Sequence, residues 1–147
     1  MLWDKEATVG SKCPYCQSEV LFSKSSEFIY KKDFGSVYYC SKFPSCNAFV
    51  GCHKITGRAL GRLADGELRE FKKQAHYHFD EIWKEEFEKG QKNARSLRYE
   101  WLSKELKIPI EETHIGMFDV ETCKLVIELC KPYADTIRHK KTPRIDC

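Results

Sequence analysis

The chain has 147 residues, 41% of them hydrophobic and 13% aromatic, and a formal net charge of +3. That length fits one domain or two very small ones sharing a core, and it excludes a large multi-domain enzyme. Apolar residues spread along the whole chain exclude a disordered tail, and no stretch approaches the ~18 apolar residues of a membrane span.

The opening, "MLWDKEATVG", carries acidic residues where a signal peptide needs a basic and then an apolar run, so a cytoplasmic protein is expected. In a reducing compartment, eight cysteines point to metal binding rather than a disulfide scaffold. Charge is uneven: residues 1–58 hold eight Lys/Arg against five Asp/Glu, residues 59–130 twelve against fifteen, and residues 131–147 five against two. This pattern is compatible with either a solvated surface or a nucleic-acid footprint.

Residues 1–58 read as a zinc ribbon. In "KCPYCQ", Pro14 fixes the backbone of a tight turn on which Cys13 and Cys16 can face one ion. A redox dithiol is disfavoured because "SEVLF" after it reads as a strand rather than a helix. The intervening segment up to Cys40 is rich in β-branched and aromatic residues and predicts strands near Glu19–Ser23, Glu27–Lys31 and Ser36–Cys40. A second pair, Cys40 and Cys46, stands six apart with Pro44 between them. Two pairs separated by hairpins suit one tetrahedral, structural Zn²⁺ held by Cys13, Cys16, Cys40 and Cys46. Cys52 and His53 are not needed by a closed site, and Cys52 is expected to be a buried residue of the last strand.

Residues 59–131 change period. Apolar residues at Leu68, Phe71, Ala75, Phe79, Ile82 and Phe87 predict a helix capped by Asp65 and stopped at Gly90. A second helix is expected over 93–106 with Leu97, Trp101, Leu102 and Leu106 inward. A third, after Asp119, places Cys123, Val126, Ile127 and Cys130 on one face before Pro132 halts it. His76, His78, Asp80 and His114 could suggest a second metal or catalytic site. However, His76 and His78 are two apart on a helix and point about 200° away from each other, so a structural role is the expectation. Residues 132–147 read as a basic tail. The expected fold is therefore α+β: an N-terminal ribbon of β-hairpins packed with a C-terminal three-helix region.

Two resemblances add to this. "CPYC" and "YYCSKFPSCNAF", with Gly35, Tyr38, Tyr39, Ser41, Phe43 and Pro44, resemble the four-cysteine zinc finger at the C-terminus of bacterial type IA topoisomerases, over residues 13–52. The wide second pair is a variant known in that family, and it implies a loop projecting Lys42 and Phe43 outward. The chain departs from the pattern at Gln17 and Ser18, where glycine is usual. The string from "YYC" through "NAFVGCHK", "LADGELRE", "AHYHFDEIW" and "YEWLSKELKIPIEETHIGMFDVETCKLVIEL" resembles a family of small bacterial and prophage-encoded proteins described as zinc-finger-containing. That family implies one architecture for ribbon and helices and supplies no reaction. Within "HIGMFD", His114 and Asp119 are expected to support the loop by hydrogen bonds.

The leading expectation for function is nucleic-acid binding, single-stranded DNA or RNA being favoured, because such ribbons are associated with single-stranded DNA. Candidate contacts are Phe28, Tyr30, Lys31, Lys32, Phe34, Tyr38, Lys42, Phe43, Lys54 and Arg58, where aromatics stack on bases and cations meet phosphate. Some of these rings must also fill the ribbon's own small core. The alternative is a zinc-stabilised interaction module that modulates a host nucleic-acid enzyme, with acidic residues Glu81, Glu85, Glu86 and Glu88 as one contact surface. An enzymatic role is not expected, since no phosphate-cradling glycine loop, serine–histidine motif or open metal set is present. Oligomeric state is left open.

Overall fold

The computed structural model describes residues 6–141. The chain is α+β, with a three-stranded antiparallel sheet in the N-terminal part and helices in the C-terminal part. It divides into two compact units, Met1–Arg69 and Glu70–Cys147.

In the first unit, β1 (Val20–Ser23) pairs with β2 (Val37–Cys40), which pairs with β3 (Phe49–Gly51). The registers place Val20 opposite Cys40, Phe22 opposite Tyr38, and Tyr38 opposite Val50. Because side chains alternate along a strand, Val20, Phe22, Tyr38, Cys40 and Val50 share one face, while Leu21, Tyr39 and Phe49 share the other. The first face covers a core cluster of Ala7, Cys13, Val20, Cys40, Ala48, Ala59 and Leu63, with Tyr38, Cys46 and Val50 packed against it. Only Val20 and Leu63 in that cluster are large aliphatics. At about 1.5–3 kcal/mol of transfer free energy each, they are a slender apolar filling for the face that carries the cysteines.

The strand expected over Glu27–Lys31 is instead a short helical turn, α1 (Glu27–Tyr30), closed by Lys31 in the left-handed region at φ 62°. Polar side chains capture the backbone there. Ser25 Oγ accepts from the Glu27 N–H at 3.2 Å and Ser26 Oγ from Phe34 N–H at 2.9 Å. Asp33 Oδ1 accepts from Ser26 and Gly35 N–H at 3.3 and 2.8 Å. Such local bonds compete with a sheet ladder, so serines and an aspartate outweighed the aromatic content that suggested a strand.

The ribbon unit also runs beyond residue 58. After β3 the chain turns, with His53 N–H donating to Arg58 carbonyl at 2.8 Å, and returns alongside it. Bridges join Cys52 to Ala59 and Phe49 to Ala64, and Ala59, Leu63 and Ala64 are buried. Residues 59–64, expected with the helical region, thus pair through their backbone with the ribbon's last strand.

The division between units falls in the first turn of α2 (Gly66–Glu88), whose Asp65 cap accepts from Leu68 N–H at 2.9 Å. In the second unit, α3 (Ala94–Leu106) ends at Lys107 with φ 58°, and two 3₁₀ turns (Ile110–Glu112, Ile115–Met117) lead to α4 (Val120–Lys141). Asp119 caps α4 by accepting from both the N–H and the hydroxyl of Thr122, at 2.9 and 2.7 Å. Phe79, Ile82, Leu102, Ile115, Met117, Phe118, Cys123, Val126 and Cys130 are buried there. Phe87 and Leu97, expected inward, are exposed.

Pro132 does not halt the last helix. It lies inside α4, which continues to Lys141, so residues 132–141 of the expected tail are helical. Beyond the proline, Ala134 is fully buried, and Arg138 is anchored to the Tyr77 carbonyl and to His78 Nδ1. These contacts hold the helix across the one N–H that proline lacks. The rest of that tail, residues 142–147, lies outside the described residues.

Candidate metal centre and nucleic-acid interface

Cys13 and Cys16 flank the "CPYC" turn, where Cys13 N–H donates to Ser18 carbonyl at 2.7 Å and Gln17 N–H to Cys13 carbonyl at 2.9 Å. Gln17 sits at φ 65°, so the turn keeps the left-handed bend that glycine ordinarily serves, with a side chain in its place. Cys40 ends β2, and Cys46 closes a loop in which Phe43 N–H donates to Cys40 carbonyl at 2.9 Å and Cys46 N–H to Lys42 carbonyl at 3.1 Å. The Phe43–Pro44 peptide bond is cis.

These turns bring all four sulfurs within 4.8 Å of one another. Cys13 and Cys46 sulfurs are 3.7 Å apart, and Cys16 and Cys40 sulfurs 3.3 Å. A tetrahedron with Zn–S of about 2.3 Å has S···S edges of about 3.8 Å, so the set fits zinc with little adjustment. Lys42 N–H also donates to Cys40 Sγ at 3.4 Å, the kind of bond that supports a thiolate ligand. As thiols the ligands differ. Hydrogen bonds from Ser18 bring Cys16 down to about 6, while burial pushes Cys40 up to about 12 and Cys46 upward. Zinc binding therefore displaces protons from the buried members.

A family model described as a zinc-finger-containing domain matches residues 9–133. The chain belongs to that family. No curated protein and no solved structure matches it at a significant level. In this zinc-finger-containing domain the four-cysteine site is structural: four protein ligands fill the tetrahedron and leave no position for a catalytic water.

Among the described residues, no other group of three or more potential ligands converges. Cys52 is half-buried just after β3, its thiol pushed up by burial, and His53 is exposed. His76 Nδ1 lies 3.4 Å from Asp80 Oδ2, and the Trp83 indole donates to Asp80 Oδ1 at 2.8 Å. Burial pushes the Asp80 carboxyl up, but these two hydrogen bonds outweigh it and leave it below its ordinary value. His78 faces Arg138 instead, and His114 lies beside Tyr99.

The other sheet face carries a continuous set of rings. Tyr39 meets Phe28 at 4.8 Å between centroids, Phe28 meets Phe43 at 5.5 Å, and Phe43 meets Phe49 at 6.2 Å. Phe49 meets Tyr30 at 5.7 Å, and Tyr30 meets Phe34 at 5.4 Å. Phe49 is buried, whereas Phe28, Tyr30 and Phe34 are 47%, 48% and 68% exposed. Lys31, Lys32 and Lys42, chain neighbours of these rings, are exposed.

The structure thus brings together Phe28, Tyr30, Phe34 and Phe43 from the sequence-predicted contacts, with Lys31, Lys32 and Lys42 as their chain neighbours, and it places Tyr38, Lys54 and Arg58 elsewhere. Tyr38 lies on the opposite sheet face against Phe22, at 5.2 Å, with its hydroxyl donating to Gly57 carbonyl at 3.4 Å. Arg58 is held by Glu6, Nε to Oε1 at 3.2 Å and Nη2 to Oε2 at 2.6 Å. Lys54 is exposed in the turn between Cys52 and Ala59. Tyr39, Phe49 and Arg69, none of them among the expected contacts, join the aromatic layer. Strand alternation from Cys40 could have found Tyr39. Arg69, stacked 3.8 Å from the Phe49 centroid and bonded to the Asn47 and Ala64 carbonyls, has no local sequence signal.

Proposed function

We propose that the first unit binds single-stranded DNA or RNA through its aromatic face, in the cytoplasm and without a chemical step of its own. One observation carries the reading: a contiguous set of rings in which Phe28, Tyr30 and Phe34 stay exposed while Tyr39 and Phe49 support them. Exposed aromatics offer stacking platforms worth about 1–3 kcal/mol per base, and the adjacent Lys31, Lys32 and Lys42 supply phosphate contacts. The likeness of residues 13–52 to the topoisomerase finger supports the same reading, for a bacterial or a prophage-encoded protein alike. Metal binding by the cysteines fits a reducing compartment, and no described helix is long and apolar enough to cross a membrane.

The test is fluorescence anisotropy of labelled single- and double-stranded oligonucleotides against zinc-loaded protein over a salt series, with a chelated control. The reading expects single strands to bind, with log K falling linearly in log salt, and binding to vanish on chelation. Absence of binding at low salt overturns it.

A further inference from the structure

The second unit holds an apolar groove between the C-terminal half of α3 and the middle of α4, lined by Trp101, Leu106, Leu125, Leu129, Pro132 and Tyr133. Leu125 and Tyr133 are 50% and 60% exposed, so its walls stand open to solvent along the helices. Its remaining lining residues are Glu105 on α3 and Glu128 on α4, and none is basic.

Those two carboxylates have no ion-pair or hydrogen-bond partner among the described residues. The α4 lysines nearest in sequence are already committed, Lys124 to Glu121 at 3.5 Å and Lys131 to Asp135 at 2.6 Å. Pro132, in the groove itself, has no N–H to offer the Glu128 carbonyl one turn earlier, which adds acceptor character on the same side. The groove therefore joins an apolar floor to uncompensated negative charge contributed by both helices.

We propose that this groove docks a basic amphipathic helix of a partner protein. The stripe from Leu125 to Tyr133 covers nine residues of α4, a rise of about 12 Å, which matches apolar anchors at i, i+4 and i+7 of an incoming helix. Lysine or arginine flanking those anchors meets Glu105 on one side and Glu128 on the other. The complementary charge fixes orientation and speeds encounter, while the apolar anchors supply the slow off-rate. This surface is built from residues of the second unit alone, and the proposal does not depend on nucleic-acid binding.

The probe is a fluorescein-labelled amphipathic peptide of about 14 residues, leucines on one stripe and lysines elsewhere, compared with a twin carrying glutamate for lysine. Binding to full-length, zinc-loaded protein is read by anisotropy at low and high salt. The expected result is saturable binding of the lysine peptide that weakens with salt, and no binding of the glutamate twin. Glu105→Lys combined with Glu128→Lys should weaken it about tenfold or more, and so should Leu125→Asp. Glu67→Lys combined with Glu111→Lys, exposed carboxylates off the groove, should not. Equal weakening by both double variants would mean nonspecific attraction and overturn the proposal, as would unchanged affinity in the groove variants. A dimer that Leu125→Asp dissociates and the lysine peptide fails to compete would assign the groove to self-association instead. Should Leu125→Asp fail to fold, the two charge-reversal variants decide the matter.

Discussion

Phe28 meets Phe43 edge to face with ring centroids 5.5 Å apart, and through that contact the aromatic face rests on the metal site. Phe43 lies inside the Cys40–Cys46 loop, and the preceding Lys42 N–H bonds to the Cys40 sulfur. The core cluster below contains Cys13 and Cys40 themselves, alongside small alanines.

Zinc should therefore hold both the fold of the first unit and its recognition surface. Structural zinc contributes roughly 10–16 kcal/mol in small domains, far more than Val20 and Leu63 supply. Chelation, or Cys40→Ser, is expected to abolish oligonucleotide binding together with the tyrosine near-UV signal of the first unit, while most far-UV helical signal and the near-UV signal of Trp83 and Trp101 in the second unit remain. A zinc-loaded, fully folded Cys40→Ser protein would contradict the assignment.

The two sheet faces predict different failures. Phe34 is 68% exposed, so Phe34→Ala should leave melting nearly unchanged and cost about 1–3 kcal/mol of single-strand affinity, the value of one stacked base. Tyr38→Ala acts from the core side and should lower the melting temperature first. Lys32→Ala should flatten the salt dependence by about 0.7 in slope if Lys32 contacts one phosphate. Melting curves and anisotropy on the same three variants separate these outcomes, and equal loss of affinity and stability in Phe34→Ala would remove the stacking role.

Cysteine spacing carried the metal centre because ligand geometry is local: each pair needs only its own turn, and strand pairing then brings the two pairs together. The helices were legible for a similar reason, since Asp65, Asp119 and the 3.6-residue period are all short-range signals. What escaped was decided elsewhere in the chain. Ser25, Ser26 and Asp33 turned an aromatic segment into a loop, β3 recruited residues 59–64, and Arg138 carried a helix past Pro132. The aromatic face was half visible, because alternation separates Tyr38 from Tyr39 but cannot tell which face the zinc core will cover.

Acid should weaken the second unit through His78. Burial, and then the neighbouring Arg138 charge, hold its imidazole below the ordinary value of about 6.5. The unfolded chain takes up a proton at about 6.5, whereas the folded chain does so only at lower pH. The stability His78 contributes as a neutral group is therefore complete above that value and is lost as pH falls through the folded pKa. Helical melting should drop between pH 7 and 5.5, and His78→Gln, which keeps an acceptor for Arg138 without titrating, should flatten that dependence. An unchanged slope in His78→Gln would place the acid sensitivity elsewhere.

Arg138 makes the sharpest distinction between a helix and a tail beyond Pro132. Its guanidinium stacks 3.6 Å from the Tyr77 ring centroid, donates to the Tyr77 carbonyl, and lies 3.1 Å from His78 Nδ1. It also sits 3.6 Å from Asp135 one turn earlier. Losing the hydrogen bonds and the stacked cation should cost about 1–3 kcal/mol, so Arg138→Ala should lower the melting temperature by several degrees. Arg138→Lys should recover little, because an ammonium cannot stack flat on the ring and reach both acceptors at once. Hydrogen exchange supplies the second reading: amides after Pro132 should be protected in the wild type and exchange faster in Arg138→Ala. Rapid exchange of residues 134–141 in the wild-type protein would show that the helix ends at the proline after all.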